Sequence, residues 1–200
     1  MKKYILYLFG LNILAIGIVL NLKTGLGVAA LSSTIYVCSI IFSISLGLSS
    51  IIWYLFFILI QSILCKKIKK EFLLEIPLSI VFGFLTDFYS FLFQSIEFNY
   101  PFLLLIFALL CISLGVYCTT ITNLVLNPGD GIVKTISEVY RVPFCNVKNG
   151  FDISLLLISI ILSLFFEGKI MGIGIGTIVS SICIGRLIQG WSYIFSNIKW

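Results

Sequence analysis

A carboxylate stands alone in the apolar run Phe82–Phe93: Asp87. An acidic side chain near the centre of a bilayer costs about 2.5–3.5 kcal/mol on insertion scales, and less toward the interface. Such a residue faces a cavity or a partner. The chemistry open to Asp87 is therefore proton or substrate coupling, or a structural hydrogen bond within a helix bundle. A second carboxylate, Asp130, follows a proline and a glycine in Asn127-Pro128-Gly129-Asp130-Gly131, and Arg186 interrupts a late apolar stretch. The chain has no histidine, which excludes imidazole zinc sites and histidine-based nucleophilic triads. No catalytic residue, metal or cofactor is expected.

These residues belong to a pattern written twice. Glu75, Ser79, Gly83 and Asp87 are answered 102 residues later by Thr177, Ser181, Gly185 and Gln189. The spacing of four winds each set slowly along one side of a helix. An earlier register, offset by 98, links Gly17 to Gly115, Leu26 to Leu124, Ala30 to Pro128 and Ser32 to Asp130. Duplicated membrane segments pack about a pseudo-twofold axis, often around a pathway. Because Gln189 is neutral, a proton-carrying role for Asp87 would belong to one copy only.

The elements that must position these residues lie in lipid. The 200 residues are 60% hydrophobic and 10% charged, with a mean hydropathy of +1.17. A soluble globular chain carries about 25% charged residues. Apolar stretches exceed the roughly 18 residues that mark a spanning helix. The first, Tyr4 to Leu22, follows Lys2 and Lys3 but is long for a signal peptide and lacks a clean cleavage site, so it reads as a retained helix. Further spans are predicted near Ser45–Cys65, Phe72–Phe93, Phe102–Leu124, Asn146–Phe166 and Ile170–Tyr193. The net charge of +5 does not point to nucleic acid, since Lys66, Lys67, Lys69 and Lys70 read as a topology signal. Six scattered cysteines read as small hydrophobes.

Two segments at matching places, 28–43 and 131–140, remain. If both dip in or lie at the surface, six spans result. An inside N-terminus then puts ten basic residues, from Lys2 to Lys199 and including Lys148, in the cytoplasm, against Lys23 and Lys169 outside. That is the positive-inside bias. The expected fold is all-α: a single polytopic membrane domain over 1–200, with six transmembrane helices as two inverted three-helix repeats, each with a short interfacial or re-entrant helix. Repeat one covers 4–93, with its short helix near 28–43; repeat two covers 102–193, with its short helix near 131–140. Three spans per copy insert the second copy upside down, a recurring build of secondary transporters.

Gly25 and Gly27, in Lys23-Thr24-Gly25-Leu26-Gly27, and Gly129 and Gly131 in the second copy, break the backbone. A short helix follows each break, with Ser32 or Asp130 placed to cap it. If those helices dip inward, their free amides offer partial positive charge to a polar solute. In this topology Asp87 leans outward and Arg186 inward, so the predicted partner of Arg186 is Asp130; the other reading is an arginine reaching lipid headgroups. Asn127, Ser79, Ser181 and Gln189 complete the candidate polar lining. Lys148 and Asp152, one turn apart, form a local pair, Glu75 stays at the interface by the lysine cluster, and Asn12 and Asn21 bond between helices. Gly172, Gly174 and Gly176, with Ser180 and Ser181, allow close helix approach.

The glycine-punctuated segment 23–27, the Pro128-x-Asp130-Gly131 segment, and the endings Gly83-xxx-Asp87 and Gly185-xxx-Gln189 resemble the YczE/YyaS/YitT family of bacterial membrane proteins. The resemblance covers nearly the whole chain. It implies an integral protein of the bacterial cytoplasmic membrane, multi-pass with both termini cytoplasmic, and no firmly established activity. The first copy departs from the family pattern: Ala29, Ala30, Leu31 and Ser32 stand where members show Ser-Pro and an acidic or hydroxyl residue.

The leading functional expectation is a small secondary transporter or exporter of an unidentified polar metabolite, not an enzyme. No nucleotide-binding loop is present. The alternative is a substrate-binding or scaffold subunit for a separate partner such as an energising ATPase module. A remote third is an intramembrane aspartyl protease built on Asp87 and Asp130, which would need the two carboxylates to share a proton. Expected partners are the lipid bilayer, a small-molecule substrate and either a second copy or a partner membrane subunit.

Overall fold

The computed structural model describes residues 2–67, 69–96, 99–122 and 124–195, and every regular element among them is helical. In chain order these are α1 (Lys2–Lys23), α2 (Ala30–Ile41), α3 (Leu46–Cys65), α4 (Lys70–Leu92), α5 (Pro101–Ile121), α6 (Pro128–Tyr140), α7 (Phe144–Glu167) and α8 (Ile175–Ile194). Proline opens α5 and α6, where its missing amide hydrogen costs nothing. Ser45 caps α3 by accepting the Leu48 amide at 3.1 Å. Gly168 ends α7 with φ +66°, the left-handed turn that suits glycine.

The short helices start earlier than expected. Their N-caps are Ala29 and Asn127, neither of which caps through its side chain, so Ser32 and Asp130 lie inside the first turn. Entry to α2 is tied instead by Asn21, whose side-chain oxygen accepts the Ala29 amide. Two other boundaries are corrected as well. Residues 168–174 are not helical, so the last helix begins at Ile175 rather than Ile170, and α5 ends at Ile121 rather than Leu124.

Five helices, α1, α3, α4, α5 and α7, are long and apolar enough to cross a membrane. α8 has the length, about 30 Å at 1.5 Å per residue, but its hydroxyls, Arg186 and Gln189 dilute its apolarity. α2, with 12 residues, and α6, with 13, are too short to span the roughly 30 Å of hydrocarbon. The outer faces carry Ile63, Phe84, Phe91, Leu103 and Phe165, all exposed, while Ser33, Ser79, Thr119, Ser159 and Thr177 are fully buried. Apolar outside and hydroxyl-bearing inside is the arrangement that hydrocarbon solvent favours.

Packing recurs in matched sets. α3 packs on α4 as α7 does on α8; α2 on α7 as α6 does on α3; α1 on α4 as α5 does on α8. α1 and α5 face each other along their lengths. A side-chain carbon added at Gly17 would stand 2.8 Å from the Ile112 amide, and one at Gly115 would stand 2.7 Å from the Leu14 amide. Leu14 and Ile112 are themselves 98 apart, so one contact is made twice with the partners exchanged. As the α1 residue falls from 17 to 14 to 10, its α5 partner rises from 112 to 115 to 118, which makes the pair antiparallel. Across α1 and α4, Tyr89 donates to Asn12 Oδ1 at 2.7 Å, the bond between helices expected of Asn12.

Candidate functional site

α2 and α6 do not lie on the surface. Seven residues of each are buried, among them Ser32 and Ser33 in α2 and Asp130 and Thr135 in α6, so both short helices start inside the bundle, while Glu138, Val139 and Tyr140 end α6 in the open. α2 is held to α7 by Ser33 Oγ against Ser159 Oγ at 2.7 Å, and by the Thr34 hydroxyl donating to the Leu155 carbonyl at 3.2 Å. α6 is held to α3 by Thr135 donating to Gln61 Oε1 at 3.0 Å and by Asn127 Nδ2 donating to the Tyr54 hydroxyl at 3.2 Å. The first turns of the two short helices touch. A side-chain carbon at Gly129 would stand 2.8 Å from Leu31 Cδ2, and these are the second residues of their helices.

Beside that meeting point is a cavity of about 20 Å³, with Leu31 and Ser32 on one side and Asn127, Asp130, Lys148 and Ile184 on the other. It has room for about one water molecule. Lys148 Nζ lies 3.2 Å from Asp130 Oδ1 and 3.2 Å from Asp152 Oδ1. Asp130, Lys148 and Asp152 are 1%, 2% and 0% exposed. Two carboxylates and one ammonium leave one negative charge in excess. Asp152 Oδ2 and Asn127 Oδ1 have no hydrogen-bond partner among the described residues. Asp130 sits in the first turn of α6, where the helix's free amides favour an anion. Asp152 lies in the third turn of α7, beyond reach of that effect.

Two expectations are corrected here. Asp130 pairs with Lys148, not with Arg186, whose side chain is exposed on the outer face of α8. Lys148 is not a cytoplasmic surface charge; its pairing with Asp152 is as expected, but it is made in the interior. Lys148 therefore leaves the basic residues that set the membrane orientation, and nine remain against two.

The other candidates do not join this cluster. Asp87 accepts from Ser45 Oγ at 2.9 Å and from the Gly47 amide at 2.9 Å, so it ties the start of α3 to α4. The side chains bonded to Asp87 are thus separate from those around Asp130. Ser79 and Ser181 are buried and donate to Ile76 and Ile178 carbonyls of their own helices. Gln189 is exposed. Gly25, at φ +65°, meets nothing; Gly27, at φ +107°, presses on Gly174 and Thr177. Gly131 leaves room for Glu75, whose Oε1 would stand 2.7 Å from an added carbon.

Glu75 is buried rather than interfacial and accepts from Gln61 Nε2 at 2.8 Å. It borders a polar pocket of about 50 Å³ with Gln61, Lys69, Glu71, Lys134, Thr135 and Glu138. This is the end of the bundle where α1 begins, since Tyr7 donates to the Val125 carbonyl at 2.5 Å. At the other end, where Lys23 Nζ donates to the Gln94 carbonyl at 2.9 Å, the loops after α1 and α7 bond to each other beside an open hollow of about 300 Å³ lined by residues 25–27 and 172–175. Val28 donates to the Gly172 carbonyl and Gly176 to the Leu26 carbonyl, both at 2.8 Å.

Lys148, Asp152, Tyr54, Gln61, Glu75 and Thr135 were missed as site residues. The repeat carried a signal for two of them. The offset of 102 sets Lys148 and Asp152 on Leu46 and Ser50, which open a span. No comparable signal marked Tyr54, which bonds Asn127 only once α6 folds back on α3.

The helices, their apolar exterior and their polar interior define an integral membrane protein. The chain belongs to DUF6198, a family of unknown function whose model covers residues 1–193. Neither the curated proteins nor the solved structures contain a match.

Proposed function

We propose that the chain is a small secondary transporter or exporter of a polar metabolite in a bacterial cytoplasmic membrane. In this reading α8 is the sixth span, and the chain forms two inverted three-helix units, each with a re-entrant short helix. The antiparallel α1–α5 contact, made twice with exchanged partners, supports the inversion. The basic residues, nine against two, favour cytoplasmic termini. The motif likeness to the YczE/YyaS/YitT family agrees with this location.

One observation carries the reading: two half-length helices meet at their first turns beside a buried charge cluster. Short helices whose N-termini meet inside a bundle form a recurring solute site in transporters, because the helix amides supply fixed partial charge there. Buried ionisable residues in a membrane are costly and mark ion or substrate pathways. Purified protein in liposomes, offered a broad metabolite panel with and without a pH gradient, should move at least one solute, and Asp130→Asn should slow it at least tenfold. Movement of none of them, by protein that is monodisperse and folded, rejects the proposal.

A further inference from the structure

The cluster at the meeting of α2 and α6 is one charge out of balance. Lys148 faces two carboxylates, and the surrounding walls are Leu14, Ile18, Ile112 and Val116, which offer no compensating charge. Within the cluster the carboxylates differ. Asp130 has the first-turn amides of α6 as well as Lys148; Asp152 has Lys148 alone, with Oδ2 unpartnered and the residue 0% exposed. Among the described residues, the helices packed on α7 bring one further carboxylate and no further cation toward Asp152. α6 brings Asp130, α2 brings the hydroxyls of Ser33 and Thr34, and α8 brings Ile184 while Arg186 points outward. α3 contributes Tyr54 through Asn127.

We infer that the Asp130–Lys148–Asp152 cluster is a binding site for one exchangeable proton, held on Asp152 Oδ2, so that the cluster alternates between neutral and singly negative. The proton is taken from water and returned to water, reaching the fully buried Asp152 from the water-sized cavity that Asp130 and Lys148 line, and the Lys148–Asp130 ion pair stays in place throughout. A proton needs only one free oxygen, and Asp152 Oδ2 supplies it. The inference deepens the transport reading by naming the coupling ion, and only that consequence rests on it.

Infrared titration of the lipid-reconstituted protein, with carbon-13 at its aspartate carboxyls, tests the site without any transported solute. The chain has only three aspartates, Asp87, Asp130 and Asp152. The expected result is a label-sensitive C=O band of a protonated aspartic acid near neutral pH. It should shift on transfer to D2O, persist in Asp87→Asn and vanish in Asp152→Asn. A wild-type spectrum without that band, or a band unchanged in Asp152→Asn, overturns the inference. If Asp152→Asn does not fold, Asp152→Glu decides, because a glutamic acid at 152 keeps the charge but carries no aspartate label, so the label-sensitive band should vanish, and a band that stays overturns the inference. A metabolite moved by protein that lacks the band sinks the proton and leaves transport standing; the band without any movement sinks transport and leaves the proton.

Discussion

The protein holds two chambers built to one plan, and only one contains charge. Asp130 and Lys148, with Val116 and Ile184, line the charged one, and Asp152 pairs with Lys148. At the corresponding positions Ser32, Leu46 and Ser50, with Ile18 and Phe82, enclose a neutral chamber of about 10 Å³. The neutral version is enclosed in the same helix framework with no ion at all. A buried ion triad often stabilises no better than apolar side chains of the same shape. Charge kept at a place where its own counterpart does without it argues for a task other than holding helices together. The ends contrast in the same way. Gly27 and Gly174 let two loops bond backbone to backbone at one end, while Glu75 and Gln61 keep a polar pocket at the other.

The sharpest way to break the first contrast is to remove the ammonium. Lys148→Met leaves two buried carboxylates face to face and should cost about 3–5 kcal/mol, read as a lowered unfolding midpoint in detergent. Adding Asp130→Asn and Asp152→Asn to that variant copies the neutral chamber and should recover most of the loss; no recovery would show that the two chambers are not alike. Next in size are Gly17→Ala and Gly115→Ala, which push a methyl into backbone across the α1–α5 contact. Each should lose about 1–3 kcal/mol, and the two losses should agree, because the contacts are equivalent. Where the two loops bond, Gly27→Ala adds the same crowding to a left-handed backbone, whereas Gly25→Ala, in open space, carries only the strain of about 1–2 kcal/mol. Thermal scans that ranked Gly25→Ala as the worse would contradict the loop pairing. The smallest change belongs to the neutral chamber. Ser50 donates to the Leu46 carbonyl of its own helix at 2.8 Å, so Ser50→Ala should shift stability by less than about 1 kcal/mol.

Helix existence and the doubled pattern were legible because both are periodic: apolar runs report spans, and the offsets of 98 and 102 aligned residues that the fold then brings into exchanged contact. Depth was harder to read. Lys148 and Glu75 looked interfacial because lysines and span ends surround them in sequence, yet α6 folds over both and buries them. The partner of Asp130 was misjudged for a related reason. The six-span topology put Arg186 on the same side as Asp130 and Lys148 at the surface beside Asp152, and only the inward course of α6 brings Asp130 over the start of α7. Asp87 shows the converse: an isolated acid in an apolar run that the turn before α3 engages through Ser45 and Gly47.

The crossing of α1 and α5 has a mechanical meaning. A line about which two equal bodies turn is where displacement is least, and the ends farthest from it travel most. In the proposed transport cycle, spin labels at Leu14 and Ile112 should therefore keep their separation. Labels across Gly25 and Ile173, and across Leu124 and Glu71, should change theirs in opposite senses.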